Sequence, residues 1–371
     1  MLLDADLHLH SRFSIASSRS MVPSSILDGC RRKGLAAVGS GDALHGEWRG
    51  MWGETPTAGG ILVIPSAEVE DRDRVHHLIL AESFGTFEEL ARRFSPAAPS
   101  ISTMGRPHLR LSGEAIAREV HEAGGLIGPA HAFTPWTALY ASFDRIGDCY
   151  GGERPDLLEL GLSADSGYSA GISDLRGIPF LSNSDAHSPS PAKLGREFNR
   201  LEVPVRTVPA VLGAIREGGI VMNAGFFPEE GKYNRTACTR CYRQFTLEEA
   251  VAFSWRCPDD GGLLKKGVAD RARELSDGPA LPRPPYLHLI PLLEIIQRVL
   301  GTSGPATKRG TALYDSLLGA FGNEIRILVD VPVDEIRDLH EGIGDAVGRL
   351  RTGRVTLVPG GGGRYGRFSF G

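Results

Sequence analysis

The stretch that decides the fold is FLSNSDAHSPSP, Phe180 to Pro191, in which a short apolar run ends in a polar cluster. Asp185 and His187 are two residues apart, and side chains two apart on a strand project from the same face. A carboxylate and an imidazole that converge at a strand end are typical of protein metal sites. A polar turn capped by an aspartate would explain the same residues. The other segments of the chain decide between the two interpretations.

Length, composition and charge limit the class of protein. The chain has 371 residues, of which 41% are hydrophobic and 23% charged, as in ordinary soluble proteins of two or three domains. A formal net charge of −4 means that any surface for nucleic acid must be local. No apolar run reaches membrane-spanning length, and the first residues, MLLDADLHLH, lack a signal-peptide core. We therefore expect a cytoplasmic protein without a membrane partner.

Short apolar runs alternate with helical patterns over residues 1–222. These runs are LLDADLHLH, GLAAVGSGD, ILVIPSAEVE, RVHHLILAE, GLIGPAHAF, LLELGL, IPFLSNSD and GGIVMNAG. One helical pattern, SGEAIAREVHEAGG, has Ser112 as its expected N-cap and Gly124 as its stop. Repeated strand–helix units predict an α/β domain with a parallel sheet, open or closed as a barrel, whose chemistry lies at the carboxyl ends of the strands.

Two further regions follow this domain. Residues 223–283 are rich in loops and contain three of the five cysteines, which predicts a small zinc-ribbon-like domain and a reducing compartment. Residues 284–371 have helical patterns and end in a tail rich in glycine, arginine and aromatic residues. We expect a C-terminal helical domain there.

Imidazole and carboxylate groups recur in or beside six of these apolar runs. They are His8 and His10, Asp42 and His45, Glu68 with His76 and His77, His131, and Asp185 and His187. Any one of these histidines could be a core residue, but an ordered set favours a shared site. Mixed ligands without thiolate suit two or three ions of zinc, manganese or iron. Closely spaced ions polarise a phosphoryl group and lower the pKa of bound water, so the set predicts metal-assisted phosphoester hydrolysis.

The order His-x-His, Asp, Glu, His, His, Asp-x-His resembles the polymerase and histidinol phosphatase (PHP) superfamily. The resemblance implies a distorted (βα)7 barrel with a trinuclear metal site. The implied ligands of the first ion are His8, His10, Glu68 and Asp185. Glu68 would bridge to a second ion, held by His131 and by His76 or His77. We prefer His77, because HLILA is similar to the corresponding strand of replicative-polymerase members, although strand phase alone does not decide.

The resemblance also implies a third ion, bound by His187 with Asp42 or His45. The usual Asp-His pair of the superfamily reads Asp42-Ala43 here. Asp6 is expected to contact a ligand histidine and fix its orientation without binding an ion itself. The residues implied to be catalytic are Asp185, His187 and Glu68. The implied cofactors are two or three divalent ions of zinc, manganese or magnesium.

A finer resemblance, to the endonuclease Q family of lesion-specific DNA nicking enzymes, covers nearly the whole chain. The matching stretches are ADLHLHSRFS, EVEDRDRVHHLIL, GRPHLRLS, AHAFTPW, ELGLSADS, FLSNSDAHSPSPAKLGREFN, RCPDDGGLLKKGVADRARELSD and RPPYLHLIPLLEII. They imply repair of DNA by nicking 5′ of deaminated bases (uracil, hypoxanthine, xanthine) and of abasic sites. The implied partner is DNA that contains such lesions, with other repair or replication proteins as further candidates.

The chain departs from this family's pattern at two places. The second strand of the family usually ends Thr-Gly-Asp-Phe-Thr-His-Pro, whereas this chain reads SGDALHG. The family's C-terminal Pro-Gly-Tyr-Asp-Gly reads PGGGG here, so Gly361 and Gly362 stand in place of Tyr and Asp. The first departure falls on the segment that is implied to bind the third ion.

The cysteines of the second region have zinc-ribbon spacing. Cys238, Cys241 and Cys257 predict a site whose fourth ligand falls at position 260, which is Asp260. Carboxylate is a harder ligand than thiolate, so we expect a structural zinc that is bound more weakly or is absent, with a metal-free remnant as the alternative. Cys30 and Cys149 are expected to be buried thiols.

Several side chains are candidates for DNA contacts. The basic residues that flank the ligand segments are Arg12, Lys193 and Arg196. Phe133 and Trp136 are candidates for the wall of a base pocket, with core packing as the alternative. The tail from residue 351 combines arginines with aromatic residues, which suits phosphate neutralisation and base stacking unless the tail is disordered.

Two other functions fit parts of the sequence. A small-molecule phosphatase of the histidinol-phosphate type could use the same barrel, but it would not need a ribbon or a basic tail. A catalytically inert DNA-binding scaffold would explain SGDALHG and the missing fourth cysteine. Bound metal and nicking activity distinguish the three.

Overall fold

The computed structural model describes residues 1–56, 60–304 and 307–370, in which strands and helices are mixed. The strands are β1 (Leu2–Asp6), β2 (Ala37–Gly39), β3 (Leu62–Ile64), β4 (Ser66–Glu70), β5 (His76–Leu80), β6 (Leu126–Pro129), β7 (Leu158–Glu159), β8 (Phe180–Leu181), β9 (Phe198–Glu202), β10 (Ile220–Gly225), β11 (Ala237–Cys238), β12 (Leu264–Lys265), β13 (Tyr286–His288), β14 (Thr356–Val358) and β15 (Arg367–Ser369).

The helices follow the apolar periodicity of the sequence. They are α1 (Pro23–Lys33), α2 (Gly46–Glu54), α3 (Phe84–Phe94), α4 (Gly113–Glu122), α5 (Leu139–Ser142), α6 (Ile146–Tyr150), α7 (Ser166–Ser169), α8 (Val208–Arg216), α9 (Leu247–Ala252), α10 (Val268–Leu275), α11 (Leu292–Leu300), α12 (Lys308–Phe321), α13 (Val333–Leu339) and α14 (Glu341–Arg351). Ser112 is the N-cap of α4, as predicted, and accepts a hydrogen bond from the Ala115 amide at 3.2 Å. None of the helices in the described ranges combines the length and apolar character that a membrane span requires.

The largest sheet has the strand order β13-β10-β9-β1-β2-β3 in the described part of the chain. Strands β1, β2 and β3 are parallel, as the strand–helix repeat predicts. Strand β9, which the sequence did not reveal, runs antiparallel to both β1 and β10, so the sheet is mixed rather than parallel. Asn199 of β9 lies in the sheet's interior and donates to the backbone oxygen of Ser182 at 2.9 Å, which ties β9 to the segment after β8.

The run ILVIPSAEVE forms two strands rather than one. Pro65 separates β3 from β4, and proline offers no backbone N–H to a sheet ladder. Strand β4 then joins β5 and β6 in an antiparallel sheet, and β7 pairs with β8 in parallel. Among the described residues the ladders are thus separate sheets of a mixed α/β fold.

The C-terminal helices are joined to the first half of the chain. Lys33 of α1 donates to Glu324 at 2.7 Å, and both side chains are almost fully buried. Glu324 also accepts from Tyr314 at 2.8 Å and from the amide of Leu292 at 3.0 Å. Strand β13 pairs with β10, which crosses residue 222. The division at residues 222 and 283 stays a prediction.

Candidate metal centre

Strand ends bring the predicted ligands to one cleft. His8 and His10 follow β1, Glu68 lies in β4, and His131 and Asp185 follow β6 and β8. His8, His10 and Asp185 each offer an atom within 4.8 Å of the others, and so do Glu68, His76 and His131. The structure therefore gathers six of the predicted residues into two adjoining groups.

Glu68 lies between the two groups. Its Oε1 is 2.9 Å from His76 Nδ1 and 2.9 Å from His131 Nε2. Its Oε2 is 3.2 Å from His10 Nε2 and 3.9 Å from His8 Nε2. A carboxylate that presents one oxygen to each group has the geometry of a bridging ligand.

The ligand atoms of the first group face one another without forming hydrogen bonds. His10 Nε2 lies 3.1 Å and His8 Nε2 lies 3.8 Å from Asp185 Oδ1. All three atoms are buried, yet none has a correctly angled hydrogen-bond partner among the described residues. Buried polar atoms that converge and remain unpartnered fit a shared cation, and the His and carboxylate donors suit zinc or manganese.

His76, rather than the preferred His77, belongs to this centre. In the antiparallel ladder His76 is opposite Glu70, which is on the same face of β4 as Glu68. His77 is opposite Val69 and points to the other face, where its ring nitrogens lie 2.7 Å from Tyr150 Oη and 3.1 Å from Asp71 Oδ2. The register of β4 with β5 thus corrects the preference for His77.

Glu159 orients two of the histidines, and the sequence interpretation missed it. Its carboxylate accepts from His8 Nδ1 at 2.9 Å and from the amide of His131 at 2.8 Å. The sequence signal was an acidic residue, Glu159, inside the otherwise apolar run LLELGL. Asp6, which was expected to orient a histidine, instead accepts from the amides of Ser184 at 3.0 Å and Gly195 at 2.9 Å. That expectation is corrected: Asp6 holds the loop that carries Asp185.

In the described part of the chain, Asp42 and His45 are engaged away from the expected third site. Asp42 lies 3.1 Å from His10 Nδ1, and it accepts hydrogen bonds from Ser11 and Ser14, so it orients His10 instead. His45 is the N-cap of α2, and its ring stacks on that of Phe13 at 4.1 Å between centroids. Its imidazole is therefore used in capping and packing. The ring of His187 lies 4.4 Å from that of His10 but belongs to no group of three ligands among the described residues. The expectation that Asp42 or His45 binds a third ion is therefore corrected.

Backbone strain and charge accompany the site. His131, Asp185 and Asp42 have φ angles of +32°, +47° and +44°, which non-glycine residues rarely adopt and which occur at functional sites. Burial opposes ionisation of Glu68, but His76 and the other histidines hold its pKa well below the usual range. Burial likewise opposes charging of His8, whereas Glu159 and Glu68 raise its pKa. The centre thus holds its carboxylates as anions, the form that binds a cation.

A cleft of about 670 Å³ opens over the centre. Its basic side chains are Arg74, Arg106, Lys193, Arg196, Lys232 and Arg298. Arg106 was not singled out from the sequence; its guanidinium donates to Glu68 Oε2 at 3.0 Å. Lys193 and Arg196 line the cleft, where they were expected, whereas Arg12 is exposed outside the cleft lining.

The two aromatic candidates for a base pocket have different environments. Trp136 is 51% exposed and lines the cleft. Phe133 is 2% exposed and packs in the core against Tyr140. Phe133 therefore follows the core-packing alternative.

The cysteine cluster lies apart from the His and carboxylate centre. Cys238, Cys241, Cys257 and Asp260 all present ligand atoms within 4.8 Å of one another. Asp260 Oδ1 lies 3.3 Å from Cys238 Sγ, and the sulfur atoms of Cys241 and Cys257 are 3.7 Å apart. The donor set is therefore one that zinc accepts, with the carboxylate at the fourth position.

The described part of the tail packs against this cluster. Strands β14 and β15 form a hairpin whose glycine-rich loop pairs with Arg235 and lies close to β11. Gly362 has φ +65°, and a Cβ added there would come within 2.2 Å of the Cys238 carbonyl oxygen. Glycine at this position therefore allows the loop to approach the Cys238 backbone closely in this chain.

Comparisons with known proteins agree with this architecture. The model of the MJ0043 C-terminal domain family matches residues 291–354. Uncharacterized protein MJ0043 of Methanocaldococcus jannaschii is 45% identical over 249 residues, which are 65% of this chain and 31% of that protein. The chain thus spans about a third of the length of that relative.

Two solved structures are similar over their whole length. The lesion-specific endonuclease PfuEndoQ from Pyrococcus furiosus has a TM-score of 0.95 and 45% identity over 99% of this chain and 95% of its own. Endonuclease Q in complex with a 27-mer duplex that carries an abasic lesion at the active site has a TM-score of 0.95 and 44% identity, over 100% and 97% of the two chains. The fold and site define an α/β protein with a His and carboxylate centre in a cleft. The chain belongs to the endonuclease Q family.

Proposed function

We propose that this protein is a metal-dependent DNA endonuclease that nicks the phosphodiester 5′ of deaminated bases (uracil, hypoxanthine, xanthine) and of abasic sites. The observation that carries the proposal is Glu68, which offers one carboxylate oxygen to each of two ligand groups at the base of a cleft lined by basic residues. Family membership and the abasic duplex bound by a relative at 44% identity support DNA as the partner.

His8, His10, Glu68 and Asp185 would hold one divalent ion, and Glu68, His76 and His131 a second. Ions held there would polarise the phosphoryl group and lower the pKa of bound water. Glu159 and Asp42 keep the imidazoles turned so that Nε2 of His8 and of His10 faces Glu68 and Asp185. Arg106, beside Glu68, is positioned to neutralise a phosphate oxygen that enters the centre. His187 borders the first group and is the candidate for handling a proton at the leaving oxygen.

Substrate recognition would use the upper part of the cleft. Lys193 and Arg196 lie beside the centre and suit phosphates that flank the cut. Trp136 and Tyr365 are 51% and 69% exposed and offer flat faces to an unstacked base. Extruding a nucleotide costs a few kcal/mol, and least when it is mispaired or lacks its base. Selectivity for damaged positions follows from that cost.

The finer architecture belongs to the same proposal. We infer that the strands around the centre derive from the distorted barrel that the PHP resemblance implies. We also infer that the segment around β11 and β12 is a zinc-ribbon-like unit with Asp260 as its fourth ligand. The gathering of the three cysteines with Asp260 supports this.

The decisive experiment is a nicking assay. End-labelled duplexes with a single uracil, hypoxanthine, xanthine or abasic site are incubated with enzyme and Mg²⁺, Mn²⁺ or Zn²⁺, and the product length locates the cut. We expect cleavage 5′ of the lesion, no cleavage of the undamaged duplex, and loss of cleavage with EDTA. Hydrolysis of small phosphate esters without nicking, or lesion binding without nicking under any metal, would refute the proposal.

A further inference from the structure

The cysteine cluster and the cleft are connected through one short strand. In β12 Leu264 is buried with Cys238 and Cys257, whereas the next residue, Lys265, points the other way, as alternation along a strand requires. Lys265 Nζ lies 3.5 Å from the centre of the Trp136 ring. A single strand thus links the packing of the cluster to the aromatic wall of the cleft.

Trp136 belongs to a wall on which cations and aromatic rings alternate. Its ring meets that of Tyr233 edge-on at 6.2 Å between centroids. Lys232 Nζ lies 5.5 Å from the Tyr233 ring and 5.9 Å from the Tyr365 ring. All of these side chains except Lys265 line the same cleft as His131 and Asp185.

Lys265 limits how the indole can turn. The loop that carries Trp136 follows His131 directly, and its neighbour Thr137 has a φ of +49°. The ammonium covers one face of the ring, yet 51% of Trp136 remains exposed. A cation on one face of an indole is an attractive contact that fixes the plane of the ring while the remaining surface stays available for stacking.

We propose that Lys265 is a positioning residue of the substrate site: it holds Trp136 at the angle at which the indole stacks on an unpaired nucleobase of the substrate strand. The inference rests on the proposed endonuclease function for its substrate, but the orientation of Trp136 is a property of the free protein. The cysteine-cluster segment then contributes to substrate affinity without contacting the reacting phosphate.

The test uses Lys265→Met, which keeps the aliphatic stem, Lys265→Arg, which keeps the cation, and Lys266→Met as the matched control. Lys266 is adjacent but pairs with Glu274 at 2.7 Å, away from the cleft. Without DNA, acrylamide quenching of Trp136 is obtained by subtracting the signal of a Trp136→Phe version of each variant. Loss of the cation should raise this quenching in Lys265→Met and leave it unchanged in Lys265→Arg and Lys266→Met.

With a uracil-containing single strand, Lys265→Met should raise KM roughly three- to tenfold, the range of a partly exposed cation–π contact, with the change falling on KM rather than on kcat. Lys265→Arg should restore KM, and Lys266→Met should match the unaltered protein. Unchanged quenching and KM in Lys265→Met would overturn the inference, as would equal loss in Lys265→Arg. If the unaltered protein does not nick at all, the endonuclease proposal fails, and the quenching result still decides whether Lys265 orients Trp136.

Discussion

The two groups of potential metal ligands in this chain are built differently. In the cleft centre His8, His10 and Glu68 are at most 1% exposed. The Nδ1 atom of each histidine contacts a carboxylate, that of Glu159 for His8 and that of Asp42 for His10. In the cysteine cluster Cys241 and Asp260 are exposed, and the cluster rests on a small apolar group around Phe245. The cleft centre is arranged by buried hydrogen bonds, whereas we expect the more exposed cluster to gain order from a bound ion.

This contrast predicts where substitutions act. Changes in the cleft centre should affect chemistry with little effect on the fold around it, because buried hydrogen bonds maintain its geometry. Changes in the cysteine cluster should affect metal retention and melting, because an ion bound there would tie its four residues together in the folded state alone. Five substitutions, in four predictions, test the contrast.

The largest effect is expected for Asp185→Asn. Asparagine keeps the shape but loses the anionic donor that faces His8 and His10. We expect nicking to fall by roughly 10³-fold or more, since the charge stabilisation that a bound ion supplies is worth several kcal/mol. Lesion binding, measured by anisotropy of a labelled duplex, should change little. Asp334→Asn, at an exposed helix position, is the control, and equal loss of binding and cleavage in Asp185→Asn would mean that the centre holds the fold.

The next effect separates two adjacent histidines. His76→Asn should lower nicking by roughly 100-fold, because it removes a donor from the Glu68 group. His77→Asn should lower the melting temperature instead, because it breaks the buried contacts with Tyr150 and Asp71. Nicking rates and melting curves of the two variants check this. Loss of nicking in His77→Asn with a normal rate in His76→Asn would contradict the placement of His76 in the Glu68 group.

The third effect concerns a residue that supports the ligands. Glu159→Gln weakens the hydrogen bonds that orient His8 and the His131 backbone, and such changes cost about 10- to 100-fold in metal affinity or activity. Mn²⁺ titration of metal-free protein, read by nicking and by calorimetry, measures it. Glu153→Gln is the matched control, because Glu153 lies 2.7 Å from His121 Nδ1 away from the centre. Unaltered Mn²⁺ affinity in Glu159→Gln would show that Glu159 does not support the metal ligands.

The sequence predicted which segments meet at the site better than it predicted which residues of those segments face it. His8, His10, His131 and Asp185 follow the ends of strands that meet at one edge, and Glu68 lies within β4 beside them. The choice between His76 and His77 could not be made, because adjacent residues on a strand face opposite ways and only the pairing with β4 decides.

The errors had a similar origin. The resemblance assigned Asp42 and His45 to a third ion, but Asp42 accepts hydrogen bonds from serine hydroxyls and His45 stacks on Phe13. Such contacts leave no periodic pattern in a sequence. The antiparallel strand β9 was missed because FNRLE is short and only partly apolar. Long-range pairing, rather than local propensity, determined these features.

The smallest effect on activity, and the most specific for the cluster, is expected for Asp260→Cys. Thiolate is a softer zinc ligand than carboxylate, and position 260 lies within reach of the three cysteines. A tenfold gain in zinc affinity, the order of effect we expect, would add about 1.4 kcal/mol of stability in excess zinc, because binding to the folded state alone stabilises it. Zinc titration of metal-stripped protein with melting followed in parallel would measure both.

Because the cluster does not contact the cleft ligands, kcat should remain unaltered, and activity should survive chelators weaker than the cleft centre's own affinity. Asp259→Cys, one residue away and paired with Arg243, is the control for an added thiol. Identical zinc affinities and melting temperatures in Asp260→Cys and the unaltered protein would mean that Asp260 is not a ligand. A fall in kcat would mean that the cluster and the centre are coupled more closely than the single contact of Lys265 with Trp136 allows.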